Sequence, residues 1–202
     1  MPHHASLKLS AAALGAAACL LAGAVPAGAA VIVLGNSKAH LCYLAAKSGV
    51  DVRGGLKLCN EALVEGEMPA RDIAATHVNR GVLLDAVGRY DEATEDYNRS
   101  ITLEPSLGDA YLNRGVAMIR LKRFDDGLAD IQKGMGLGIA EQAIGYYDLA
   151  VAEEDMGRFK EAYYDYKHAL TLEPGYTPAS EALKHFVVTK SPAPPPAPSG
   201  GT

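Results

Sequence analysis

Cysteine, histidine and clustered charge are the side chains from which a reactive centre would be built, and this chain carries few of them in usable arrangements. Its three cysteines stand at positions 19, 42 and 59. Cys19 lies in an N-terminal apolar run, so Cys42 and Cys59 remain as an even pair, which in an oxidising compartment invites one disulfide. The alternatives are two buried free thiols, or a metal site joining Cys42 to His40. Structural zinc takes four ligands, and no other close-spaced Cys or His pair is present to complete such a site. Beyond the N-terminal segment the histidines are His40, His77, His168 and His185, too scattered to place two on one helix face beside a carboxylate. No Gly-rich phosphate loop follows a strand and no nucleophile elbow occurs. The expectation is a chain with no enzymatic activity, no cofactor, no metal and no small-molecule substrate.

Charge points the same way. Glu153, Glu154 and Asp155 form an acidic run at a helix C-terminus, where the macrodipole disfavours negative charge; it reads as a solvated run, with a basic partner or a weak cation as the alternative. Arg120, Lys122 and Arg123 are the densest basic group and read as a solvated helix end. With 19 Lys and Arg against 24 Asp and Glu the net charge is −5. A duplex backbone is bound by clustered cations, so nucleic acid is not an expected partner.

Lys8 is the sole charged residue before a run from Leu9 to Val25 that is almost wholly Ala, Leu and Gly, closed by Pro26 and the small-residue stretch Ala27-Gly28-Ala29. This is the pattern of a secretory signal peptide over residues 1–29, with cleavage before Ala30, and it predicts an exported protein, periplasmic or secreted. The run is too broken for a span of about 20 apolar residues. Lipid attachment at Cys19 would instead tether the chain to a membrane, but three Ala precede that Cys where such a signal wants a larger aliphatic residue. Cleavage would leave 18 basic and 24 acidic side chains, a net charge of −6.

The elements that must carry any site are repeated. HVNRGVLLDAVGRYDEATEDYNRSITLEP aligns with YLNRGVAMIRLKRFDDGLADIQKGMGLGI and with YYDLAVAEEDMGRFKEAYYDYKHALTLEP. Gly81 recurs as Gly115, and Tyr90 as Phe124, each 34 residues later; Phe159 follows Phe124 by 35. Each copy is large-residue, small-residue, turn, aromatic, Ala or Gly, then a ring or Ile at helical spacing. His77, Gly81, Tyr90, Ala93, Tyr97 and Pro105 supply these handles in the first copy. Tyr111, Gly115, Phe124, Gly127, Ile131 and Ile139 supply them in the second, and Tyr146, Ala150, Phe159, Ala162, Tyr166 and Pro174 in the third. Period and handles resemble the tetratricopeptide repeat (TPR) family, which implies an all-α solenoid of antiparallel helix pairs in a right-handed superhelix. The repeats span 74–107, 108–142 and 143–176.

Upstream, residues 36–68 read as a degenerate helical hairpin cap with its bend near Gly54 and Gly55. Aligned with the repeats, it sets Cys42 and Cys59 on facing helices. Residues 177–189 resemble a closing helix that covers the last repeat, as stacked repeats require. The segment 190–202 is Pro-rich and has nothing to build a core with; it reads as a polyproline-biased disordered tail, or as a ligand for a Pro-recognising domain.

In the TPR family the first helices of successive repeats line a concave groove for a peptide or a partner helix. The matching positions are Val78, Asn79 and Val82; Leu112, Asn113, Val116 and Ile119; Tyr147, Asp148 and Val151. The resemblance therefore implies a protein or peptide partner in a mostly apolar groove, with Asn79 and Asn113 placed either to bond an extended backbone or to satisfy neighbouring helices. Members that clamp a C-terminal carboxylate use Lys and Asn early in the first repeat; Val78 and Val82 occupy those positions here, against such a clamp. The alternative function is a structural or self-associating subunit using the outer face. The second repeat, with Gly127 and Gly134 at helix-crossing positions, Gly136 and Gly138 after them and one inserted residue, is expected to be the soft point of the stack, since each Gly costs about 1 kcal/mol of helix propensity.

Overall fold

The computed structural model describes residues 7–11, 30–33, 37–65 and 68–190. Most of the expected signal peptide, with Cys19, and the Pro-rich tail from Ser191 onward lie outside the described residues. Among the described residues nine helices follow one another: α1 (Lys38–Ser48), α2 (Val52–Glu65), α3 (Ala70–Asp85), α4 (Tyr90–Leu103), α5 (Gly108–Arg120), α6 (Phe124–Leu137), α7 (Gln142–Asp155), α8 (Phe159–Leu172) and α9 (Thr177–Leu183). The repeats are the hairpins α3/α4, α5/α6 and α7/α8, each packed against the next, with α1/α2 stacked on the first and α9 on the last. This is the all-helical TPR-type solenoid expected from the repeat.

Each repeat hairpin turns through one residue with positive φ: Gly88 (74°), Lys122 (63°) and Gly157 (75°). Only the second repeat places a side chain there, in a left-handed conformation that glycine adopts freely and other L-residues resist. The amides after each turn still bond back to the ending helix, as Arg89 N to Leu84 O, Arg123 N to Met118 O and Arg158 N to Glu153 O.

The first hairpin differs from its sequence reading in one respect. The chain bends at Gly49 (φ 63°) to Asp51, not at Gly54 and Gly55, which lie inside α2. Asp51 accepts a hydrogen bond from the Gly54 amide at 2.9 Å and so caps the helix. Gly55 faces Ala45 and Leu83, where a Cβ would stand 2.7 and 2.9 Å from their methyl carbons; it lets α2 lie close to both α1 and α3. A disulfide joins Cys42 of α1 to Cys59 of α2 across a Cα–Cα distance of 4.9 Å, and both are buried.

At the other end α9 stops at Leu183, so the expected closing helix over 177–189 covers only its first half. Phe186–Lys190 continues as a strand, β2, paired antiparallel with Leu7–Ala11, β1, with Leu7 opposite Lys190 and Ala11 opposite Phe186. The run Phe186-Val187-Val188-Thr189 is aromatic and β-branched, which favours strand over helix. Phe186 is buried against the Tyr166 and Tyr163 rings of α8.

Within the repeats, helix separation is set by the residue at each crossing. Gly81 lies under the Tyr97 ring, 2.5 Å from where its Cβ would be. In the second repeat the contact is backbone on backbone. A Cβ on Gly134 would stand 2.6 Å from Gly108 O and 2.8 Å from Leu112 N, and one on Gly115 would stand 2.6 Å from Gly127 O. Glycines that lower helix propensity therefore bring α5 and α6 into close contact, and α6 runs unbroken through Gly127 and Gly134 to Leu137. Gly136, by contrast, meets nothing within 4 Å.

This contrast is testable. Gly134→Ala should destabilise the protein by about 2 kcal/mol, because overpacking against backbone outweighs a propensity gain of about 1 kcal/mol. Gly136→Ala should stabilise it by up to about 1 kcal/mol. Urea denaturation of both variants checks the pair; a stabilised Gly134→Ala would mean that the helices have room to spare.

Candidate functional site

The first helices α3, α5 and α7 neighbour one another along one face of the stack, with α1 beside α3. Of the sequence-derived groove positions, Val78, Val82, Leu112 and Ile119 are buried within the hydrophobic core. Asn79 and Asn113 are buried as well. Val116, Tyr147, Asp148 and Val151 are half-buried and form the more open end. The groove thus divides into a filled part over the first repeat and a more accessible part formed by Val116 and the third repeat.

The filling of the first half is the chain itself. Residues 30–33 pass over α3, and the Asn79 side-chain amide holds Val31 at both backbone groups: Oδ1 accepts from Val31 N at 2.8 Å and Nδ2 donates to Val31 O at 2.8 Å. Two residues on, Val33 is 2% exposed and packs against Ala39, Ala62 and Ala75, while Ile32 between them is 61% exposed. The His40 ring nitrogen Nδ1 lies 2.5 Å from Val33 O, and a carbonyl can only accept, so Nδ1 carries the proton. Asn79, which the sequence placed either on an extended backbone or on neighbouring helices, here bonds the chain's own main chain at Val31, in a stretch outside any helix or strand.

Polar networks tie the repeats behind this face. Arg80 donates to Asp96 in a bidentate pair, Nε to Oδ2 at 2.7 Å and Nη2 to Oδ1 at 2.6 Å, and through Nη1 reaches Asn60 of the preceding hairpin at 2.7 Å. Arg114 repeats this 34 residues later with Asp130 and Asn98. Burial pushes the Asp96 carboxyl up, but hydrogen bonds from Arg80 and His77 outweigh it and hold the group below its ordinary value. Sequence reading missed these pairs, although the recurring tripeptides Asn79-Arg80-Gly81 and Asn113-Arg114-Gly115 carried the signal. The third repeat has Asp148-Leu149-Ala150 instead, so Asp165 lacks the arginine that its counterparts have, and its acidic neighbour is Glu153. Burial pushes Glu153 up to about 7, and the adjacent Asp165 adds to this.

A second covarying pair lies nearer the groove. The Tyr97 hydroxyl donates to Asp85 at 2.7 Å, and the Tyr166 hydroxyl to Glu154 at 2.9 Å; in the middle repeat the same two positions are Ile131 and Ile119. Asp85 on α3 and Asp148 on α7 are both raised to about 7 by burial, with the Arg120 charge on α5 pulling each back down. Asp148 stands where the earlier repeats have Asn79 and Asn113. Protonated, a carboxyl offers one donor and one acceptor as an amide does; ionised, it only accepts.

Asp85, Asp148 and Glu153 bind a proton more tightly folded than unfolded. Their contribution to stability is therefore full below the ordinary carboxylate range and is lost as pH rises through about 7. Unfolding free energy should fall between pH 5.5 and 8 by on the order of 1 kcal/mol per group, allowing for partial exposure. Asp148→Asn should raise stability at pH 8 and flatten the profile. Stability that is flat or rising over this range in the unsubstituted protein would contradict the assignment.

Comparison with known proteins places this geometry. Residues 74–107 and 143–176 each match a family profile described as Tetratricopeptide repeat. Among solved structures the chain is similar to MamA, with a TM-score of 0.55 at 19% identity over 71% of this chain and 80% of that one, a likeness of fold. It is also similar to the first TPR of Spaghetti (RPAP3) bound to HSP90 peptide SRMEEVD, with a TM-score of 0.52 at 26% identity over 56% of this chain and 90% of that one. The Arabidopsis OM64 TPR domain gives a TM-score of 0.52 at 27% identity over 57% and 95%. Among curated proteins none matches this chain.

Proposed function

We propose that this chain, a member of the tetratricopeptide repeat family, is an exported protein-interaction scaffold that takes an extended peptide segment along the face of α3, α5 and α7, and works by binding rather than by catalysis. The observation that carries this reading is the Asn79 amide, buried and bonded to both backbone groups of one extended residue. A buried amide that bonds a backbone holds a chain without reading its side chains, which is the task of a peptide groove. The solved TPR structure with the HSP90 peptide is a relative in which a peptide is bound. The peptide class differs here, because Val78 and Val82 stand where a carboxylate clamp has Lys and Asn. Apolar peptides fit this groove better than acidic C-termini.

The half-buried residues Val116 and Val151 are the ones to test, since Val82 and Leu112 are committed to the core. Peptides selected from a random library against the full chain should be apolar and should bind Val116→Glu and Val151→Glu at least tenfold more weakly, because each substitution puts a charge where binding must desolvate it. Circular dichroism should be unchanged, and the outer-face substitution Glu95→Lys should leave binding intact. Selection of no peptide, or affinities indifferent to both groove substitutions, would remove the groove from the function.

Export rests on the basic start, the apolar run and the small-residue site before Ala30. The intact mass of the protein recovered from its native host should correspond to a chain starting at Ala30, without Cys19 and its flanking sequence. A mass retaining Met1, or a lipid adduct on Cys19, would reverse the proposal. Processing at this point would also remove β1 and leave β2 without its strand partner.

A further inference from the structure

The segment that fills the first half of the groove is bound as a ligand is bound. Asn79 lies wholly within the protein and commits both polar atoms of its side chain to Val31 N and Val31 O, each at 2.8 Å. A site that needed only to be filled would be served by an apolar side chain of similar volume, with no polar group to satisfy. Val33 is 2% exposed in a recess lined by Ala39, Ala62 and Ala75, and its carbonyl is held by His40. Ile32 points away and is 61% exposed. In, out and in again is the side-chain alternation of an extended strand read from one side. The recess is shaped by three alanines, which leaves room for a β-branched side chain.

Resting on the reading of this face as a peptide groove, we infer that residues 30–33 are an internal ligand of that groove, and that the partner it takes over the first repeat is an extended apolar peptide with β-branched residues at alternate positions, which binds by displacing them. The segment is tethered close by. It joins α1 through residues 34–36, and Ser37 caps that helix by accepting from the His40 amide. Such a short tether gives the internal ligand an effective concentration of about millimolar, so a free peptide of equal intrinsic affinity is held off by competition. Val31 is only half-buried and is held chiefly through its backbone, so its end of the segment is the one that releases first.

The probe is the chain's own sequence. A fluorescein-labelled peptide AVIVLGNS, residues 30–37, is titrated against the full chain and against full-chain Val31→Pro, in which the internal segment can no longer donate to Asn79 while every groove residue is unchanged. Val31→Asp, which weakens seating by adding a charge, is a second route to the same release. Both variants should bind the probe at least tenfold more tightly than the unsubstituted chain. A probe with proline as its second residue should bind at least tenfold more weakly than AVIVLGNS to the same variants, a control that leaves the protein untouched. Equal affinity of the unsubstituted and both substituted chains for AVIVLGNS would show that residues 30–33 do not compete, and the inference would fall. If library-selected peptides bind and AVIVLGNS binds none of the chains, the internal ligand is wrong and the groove stands. If neither binds, both are wrong.

Discussion

Everything in this molecule depends on how closely two antiparallel helices approach within a hairpin. A single pair of this length cannot bury its apolar faces alone, so the pairs must stack, and they stack in register only if each is equally thin. Gly81, Gly115 and Ala150 sit at the crossing of the three repeats. In the second repeat the thinning goes furthest, with Gly108, Gly115, Gly127 and Gly134 placing backbone against backbone. The same four residues are poor helix formers in isolation. Their two helices are maintained by contacts with each other and with neighbouring helices, the condition under which propensity is routinely overridden.

Once the hairpins are thin enough to stack, charged side chains fix one against the next. Arg80 and Arg114 each grip an aspartate of their own second helix and an asparagine of the hairpin before, so one guanidinium joins three helices. A buried bidentate pair contributes little net stability over an apolar replacement, but it disfavours every stacking that leaves its charge unpaired. The third repeat abandons this device. Leu149 replaces the arginine, and Glu153 and Asp165 face one another as acids with raised proton affinity. At this position the stack therefore passes from an ion pair in each of its first two repeats to two facing acids in its third.

The groove inherits this polarity. Over the first repeat it is closed by Asn79 and the chain's own Val31 and Val33; over the third it is more open, with Asp148 in place of the amide and the Tyr147 and Tyr176 rings edge to face at 5.6 Å. A partner entering from the third repeat meets a carboxyl that behaves as an amide only when protonated. At the first repeat it meets a site already occupied.

The sequence alone determined the helical repeat and its register and set Cys42 and Cys59 on facing helices, because a period of 34 to 35 residues and the alignment of the first hairpin with it are properties of the chain that survive without coordinates. It also placed Asn79, Asn113 and Asp148 in one row, since they align. The tyrosine and carboxylate pairs and the Arg and Asp pairs were legible too, at fixed spacings of 12 and 16 residues, and were passed over. What only the tertiary structure decided is what touches what across long separations. Val31 lies 48 residues before Asn79 in a stretch with no pattern of its own, so nothing local announced that it would fill the groove. Gly54 and Gly55 read as a bend and Gly127 and Gly134 as weak points, because a glycine's local cost is written in the sequence, whereas the backbone that approaches it comes from another helix.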